Sequence, residues 1–337
     1  MPARMFISSC PARWRAKSLA VYTSVFDEDL TSFLSGYDIG DLLSFSGIAE
    51  GVENSNFMVR TTTGSFILTL YEKRVKPDDL PFFLALMNHL ASKGLSCPRP
   101  VPDKSGEALG RLNGRPAAIV TFLDGIWHRK IMPVHCRALG TEMARMHQMG
   151  ADFGMVRENN LSVASWRPLL ESCGAKADSV MSGLYDFLKA EVGFLEKNWP
   201  ADLPCGVVHA DLFQDNVFFL EDELSGFIDF YFACTDMLAY DLAICLNAWC
   251  FEKDSSFNIT KARLMITAYE EVRALSEAER TALPVLARGA ATRFLLTRLY
   301  DWLNHPEGAF VKPKDPMEYY RKLSFHQSVI SSAGYGI

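Results

Sequence analysis

The chain holds no Cys-x-x-Cys pair and no cluster of histidine and cysteine at ligand spacing, although its eight cysteines stand at positions 10, 97, 136, 173, 205, 234, 245 and 250. That spacing argues against a structural zinc site or a disulfide framework. Several cysteines lie in apolar runs such as AICLNAWCF, where a thiol behaves as a small hydrophobe, and a reducing cytoplasm suits them. No apolar run approaches the ~20 residues that a membrane-crossing helix needs. Positive charge is scarce too. Against 40 Asp and Glu stand only 34 Lys and Arg, a net charge of −6, which argues against nucleic acid as the main partner. A net negative charge does not exclude an anionic ligand, because local backbone N–H groups and metal can hold phosphates. Acid, in turn, is missing from the first twenty-six residues, where Arg4, Arg13, Arg15 and Lys17 resemble a targeting segment in charge only. Their apolar stretch MFISSC is too short for a signal core, so residues 1–20 read as a basic, disordered extension before a domain that begins near Val21. Internal repeats and low-complexity tracts are lacking.

What is present divides into two kinds of sequence. From Ser44 to Tyr71, short runs rich in β-branched and aromatic residues (FMVR, FILTLY) alternate with glycine-bearing turns, a strand pattern. DDLPFFLALMNHLASKG follows at helical spacing, with Asp78 or Asp79 as cap, Pro81 in the first turn and Gly94 as terminator. RPAAIVTFLDG reads as a buried strand ending in a turn at Asp124–Gly125. Beyond it, residues 133–149 and 176–199 are expected as helices, residues 206–233 as a strand–loop–strand segment, and residues 238–327 as helices again. The fold class is therefore α+β in two lobes: residues 21–124 a small sheet lobe and residues 125–337 a larger, mainly helical one.

The chemistry concentrates in VVHADLFQDNVFFL (residues 207–220) and GFIDF (residues 226–230). An apolar strand delivers His209 and Asp211 into a loop, Asn216 follows five positions after Asp211, and Asp229 sits in an apolar run where a carboxylate is costly without a partner. Kinases need such a set: one Asp to take the proton of the attacking hydroxyl, an Asn and a second Asp to hold magnesium on the ATP phosphates. A hairpin with a polar loop explains His-x-Asp alone but not four positions in register. A metal hydrolase would want further histidines nearby.

The pattern H-x-D-x-x-x-x-N followed by I-D-F resembles the catalytic and metal loops of the aminoglycoside phosphotransferase and choline kinase-like family, relatives of the protein kinases. The resemblance implies Asp211 as catalytic base, His209 as the residue packed under the loop, and Asn216 and Asp229 as Mg²⁺ ligands. It extends to a phosphate-covering turn, SGIAEGVENSNF, with Gly47, Gly51, Asn54, Ser55 and Asn56 beside ATP, and to an adenine-contacting strand with Thr121 and Leu123. Taken alone, that turn is a plain hairpin loop and that strand is core. One departure stands out: Thr69 occupies the place of the strand lysine that kinases set against the α- and β-phosphates, and Lys73 and Arg74 are the nearest bases. Asp241, opening a helix in AYDLA, is implied as a brace under the catalytic loop, with a helix cap as the alternative.

Segments including ILTLYEKR, DLPFFL, GLSCPRP, IDFYFAC, LNAWCF and LTRLYDWL are similar to bacterial homoserine kinases of this fold, over roughly residues 21 to 327. A threonine at position 69 is itself typical of that branch. The resemblance implies ATP, Mg²⁺ and a small hydroxyl-bearing substrate as partners, with O-phosphorylation of L-homoserine in threonine biosynthesis as the reaction. Homoserine needs an acid, a carboxylate clamp and a base. Arg293 is the candidate clamp, because a guanidinium fork fits a carboxylate, and Tyr240 is a second candidate for the substrate pocket. Arg298 and Asp301 read as an i, i+3 surface pair. A choline, aminoglycoside or methylthioribose kinase, or a pseudokinase scaffold, is the alternative.

Overall fold

The structure, a computed structural model, describes residues 23–48, 54–72, 75–305 and 313–337. The expected basic extension, Gly51, Lys73 and Arg74 lie outside the described residues.

A short helix α1 (Asp27–Leu34) precedes three antiparallel strands, β1 (Leu42–Gly47), β2 (Ser55–Thr61) and β3 (Ser65–Leu70). Helix α2 (Leu80–Ser92) follows, then the hairpin β4 (Gly110–Leu112) and β5 (Arg115–Thr121), giving sheet order β1-β2-β3-β5-β4. Period-2 geometry sorts β5 between two faces. Ala117 and Ile119 join Leu30, Leu34, Phe57, Val59 and Leu68 under α1, whereas Ala118 and Val120 face the larger core that includes α2. Burial on both sides is why the middle of the strand, Ala117 to Val120, is apolar without a break.

The chain leaves the sheet and touches the second lobe where Ile126 pairs with Phe219. That lobe is built on α3 (Pro133–Met149), α4 (Val163–Cys173) and α5 (Leu184–Asn198). Next come β6 (Cys205–Val208), β7 (Val217–Leu220), β8 (Glu223–Phe227) and β9 (Cys234–Met237), paired as β6–β9 and β7–β8. The remaining helices are α6 (Leu238–Trp249), α7 (Ile259–Val272), α8 (Glu277–Leu303) and α9 (Met317–Ser328). Gly140 lets α3 and α7 approach closely: a Cβ there would stand 2.1 Å from the Met265 carbonyl oxygen. Helix α8 starts at a capping box, with Ser276 Oγ accepting from the Glu279 N–H (3.2 Å) and Glu279 Oε2 from the Ser276 N–H (2.9 Å).

Four local expectations change. Asp79 stands at the N-cap position of α2 but its side chain makes no capping bond; a single 3₁₀ turn, Pro77–Asp79, precedes the helix and the Asp79 carboxylate is taken by Arg157 at 2.9 Å. The single helix expected over 176–199 breaks at Gly183, whose φ of 78° is left-handed, so α5 begins at Leu184. Helix α4 lies where no helix was expected. The strand expected through IDF stops at Phe227, because Asp229 itself turns left-handed (φ 62°).

Candidate active site

The loop between β6 and β7 is fastened from every side. Ala210 holds a positive φ of 62°, rare for a residue with a Cβ and costly unless its surroundings fix it. Asp241, fully buried in the first turn of α6, fixes it: Oδ2 accepts the His209 N–H at 2.9 Å and Oδ1 the Ala210 N–H at 2.8 Å. His147 of α3 meets the same carboxylate at 3.1 Å and the Tyr269 hydroxyl of α7 at 2.7 Å. Burial alone would raise the Asp241 pKa, but the hydrogen bond and charge of His147 outweigh it and hold the carboxyl below the usual range. Asp241 thus braces the loop rather than capping a helix. On the far side, Arg293 Nη1 donates to the Ala210 carbonyl (2.9 Å) and Trp249 Nε1 to that of Leu212 (2.7 Å). His209, fully buried, donates through Nε2 to the Ile228 carbonyl at 2.9 Å, tying this loop to the one that carries Asp229. Burial lowers its pKa, so the ring is neutral and holds geometry.

So anchored, the loop presents Asp211 and Asn216 to a cavity of about 890 Å³ that Asp229, Thr69, Asn54 and Asn56 also line. Asn216 Nδ2 donates to both the backbone oxygen (2.8 Å) and Oδ2 (3.1 Å) of Asp211. Its hydrogens are spent on Asp211, which leaves Oδ1 as an oxygen donor. With the carboxylate of Asp229, this is the hard-oxygen set that suits Mg²⁺. Burial pushes the Asp211 pKa well above the ordinary carboxylate range, nearby Asp229 pushes it further, and Arg293 opposes both. A carboxylate of raised basicity beside these oxygen donors can accept a proton from a hydroxyl group.

The remaining predicted residues separate. Thr121 and Leu123 line the same cavity, at the edge where the sheet gives way to the second lobe. Thr69 Oγ1 donates to Asn56 Oδ1 at 2.8 Å, so the place of a strand lysine holds a neutral polar pair. Among the described residues, the cations lining the cavity are Arg293, Arg298 and Lys314, all from the helical lobe. Ser55 is fully buried and donates to Glu72 Oε1 at 2.8 Å, and Gly47 pairs with Phe57 at the end of β1; neither lines the cavity. Tyr240 is corrected: it is fully buried, edge-on to Trp199 at 5.5 Å, and lies outside the cavity wall. Arg298, expected beside Asp301, instead pairs with Glu318 at 2.7 Å. His147 and Tyr269 were not anticipated.

The profile of the Phosphotransferase enzyme family matches residues 44–275. A homoserine kinase of Afipia carboxidovorans is 64% identical over 319 residues, 95% of this chain and 98% of that protein. Another, of Rhodopseudomonas palustris, is 63% identical over 320 residues, with the same two shares, 95% and 98%. The chain belongs to the homoserine kinase branch of the phosphotransferase enzyme family. The family's protein-kinase-like fold is evident in an amicoumacin kinase solved with AMP-PNP, Ca²⁺ and Ami, which superposes with a TM-score of 0.68 at 16% identity, covering 91% of this chain and 95% of its own.

In a family enzyme built this way, the Asp241 brace should carry stability. Asp241→Ala strands two buried N–H groups and is expected to cost about 3–5 kcal/mol, read as a lowered urea midpoint. Because the folded pKa of Asp241 is depressed, its contribution is present above the unfolded value of about 3.9 and is lost as pH falls through the folded one. The difference between native and variant should therefore shrink in acid.

Proposed function

We infer that this chain transfers the γ-phosphoryl group of ATP to the hydroxyl of L-homoserine, giving O-phospho-L-homoserine and ADP for threonine biosynthesis. The observation that carries the reading is the site set Asp211, Asn216 and Asp229 in one cavity, in a chain 63–64% identical to homoserine kinases across 95% of its length.

Asp211 is our catalytic base. Its carboxylate takes the proton of the substrate hydroxyl as that oxygen attacks the γ-phosphorus and ADP departs. His209 and Asp241 position it. Asn216 and Asp229 would hold Mg²⁺, which when bound offsets the charge of the phosphates. The sheet wall, Asn54, Asn56 and Thr69, takes the phosphate side of ATP, and the backbone at Thr121–Leu123 takes the adenine. Arg293 we reassign. Only 2% exposed and engaged by the Ala210 carbonyl, it steadies the loop and offsets the charge on Asp211 rather than reaching for a carboxylate. Among the described residues no helix is long and apolar enough to cross a membrane, and the described cysteines are free thiols; we place the enzyme in the cytoplasm.

An ADP-release assay across L-homoserine, choline, methylthioribose and kanamycin tests the reading. Homoserine should give the highest kcat/KM by at least about tenfold. Preference for any of the others would overturn it.

A further inference from the structure

Beside the main cavity lies a recess of about 260 Å³. The two share Trp127, Phe213, Asp215, Arg298 and Lys314, so the recess adjoins the cavity that Asp211 lines. Its charges are arranged unevenly. Glu318 bridges Arg298 (2.7 Å) and Lys322 (2.6 Å), and although burial alone would raise its pKa, these two cations hold it down to about 2, so it is a spent anion. Three charges keep unused capacity. Arg298 makes its hydrogen bonds through Nη1 alone, to Glu318 and to the Asp315 carbonyl, and its guanidinium carbon lies over the Tyr319 ring, 4.4 Å from the ring centre. Lys314 has no ion pair among the described residues; its ammonium lies 5.4 Å from the Phe213 ring centre. Asp215, four positions after Asp211, likewise has no ion pair or side-chain hydrogen bond among the described residues. An available anion and two available cations line one small recess without pairing with each other. That is the complement of a zwitterion.

We propose that this recess binds the amino-acid head group of the substrate: Arg298 with Lys314 holds the α-carboxylate, Asp215 receives the α-ammonium, and Glu318 is a positioning residue that orients the Arg298 fork. The proposal rests on the homoserine reading above and deepens it. Planar, two-pronged recognition is what a guanidinium offers a carboxylate and an ammonium does not, so Arg298 supplies direction and Lys314 charge. The hydroxyl end of the extended side chain then points out of the recess toward Asp211.

Two truncated substrates separate the contacts: 3-amino-1-propanol lacks the carboxylate, and 4-hydroxybutanoate lacks the ammonium. Arg298→Gln should lower the kcat/KM ratio of homoserine over 3-amino-1-propanol by roughly five- to hundredfold, mainly through KM, with the KM for ATP little changed. Lys314→Met, at an exposed side chain, should move that ratio the same way and keeps the test sound if Arg298→Gln folds poorly. Asp215→Asn should instead lower the ratio of homoserine over 4-hydroxybutanoate. If these ratios stay within about twofold of the native enzyme's, the head group binds elsewhere and the proposal is overturned. Failure of the native enzyme to phosphorylate homoserine at all would be a different result, sinking the functional reading itself.

Discussion

Asp211→Asn is expected to lower kcat by about 10²–10⁴-fold, the contribution of a positioned general base, while the protein folds and gains stability. The two effects have one cause. The native carboxylate is partly withdrawn from water and faces Asp229, which raises its pKa. A group whose folded pKa is raised favours the folded state below the unfolded pKa, and that advantage is lost as pH rises through the folded value. At neutral pH, without metal, Asn therefore removes a cost rather than a support, and the variant should be more stable than the native protein. The gain should fade as pH falls and the native carboxyl takes up its proton. Thermal melts from pH 4 to 8 beside single-turnover kinetics check both halves. A variant that is inactive because it is destabilised at pH 7 would assign Asp211 a structural role; near-native turnover would exclude it as the base.

Asp229→Ala should cost about 10³-fold or more in activity, since a bound metal supplies several kcal/mol of charge stabilisation at the phosphates. Activity is not the only readout. Mg²⁺ with ADP should raise the melting temperature of the native protein by mass action, and should raise that of Asp229→Ala no more than ADP alone. Asp229 sits at φ 62°, where alanine is also strained, so Asp229→Asn serves as the shape-conserving control. Equal Mg²⁺-dependent stabilisation in native and variant proteins would remove Asp229 from the metal site. Retained activity in excess EDTA would remove the metal.

The residues we assign to the site are legible as a group because their spacing is local. His209, Asp211 and Asn216 fall within one loop and Asp229 in the turn just after the next hairpin, so strand, loop and hairpin place them together without knowledge of the rest of the chain. Asp241 was visible for the same reason, though only the structure separates brace from cap, by giving both its oxygens to the N–H groups of His209 and Ala210. Long-range partners left no such trace. His147 lies 94 positions before Asp241 and Tyr269 lies 122 after His147, each on a helix whose own periodicity reports burial and nothing more. Arg298 was paired with Asp301 by helix geometry, whereas its partner Glu318 comes from the following helix, beyond what i, i+3 reasoning can reach. Tyr240 was misplaced because α6 is buried on all sides, so that no face of it marks the cavity. Helix α4 escaped notice partly because Pro168 stands inside it, a residue that usually argues against a helix interior.

The central claim is that the phosphoryl group passes from ATP to the homoserine side chain under the control of Asp211. The most direct measurement is ³¹P NMR of a reaction containing the full chain, ATP, Mg²⁺ and L-homoserine, run in parallel with Asp211→Asn. The account predicts a phosphomonoester signal coupled to the γ-methylene protons of homoserine, appearing in step with ADP and missing on the same timescale from the variant. ADP accompanied only by inorganic phosphate, or a phosphoester formed equally fast by the Asn variant, would contradict it.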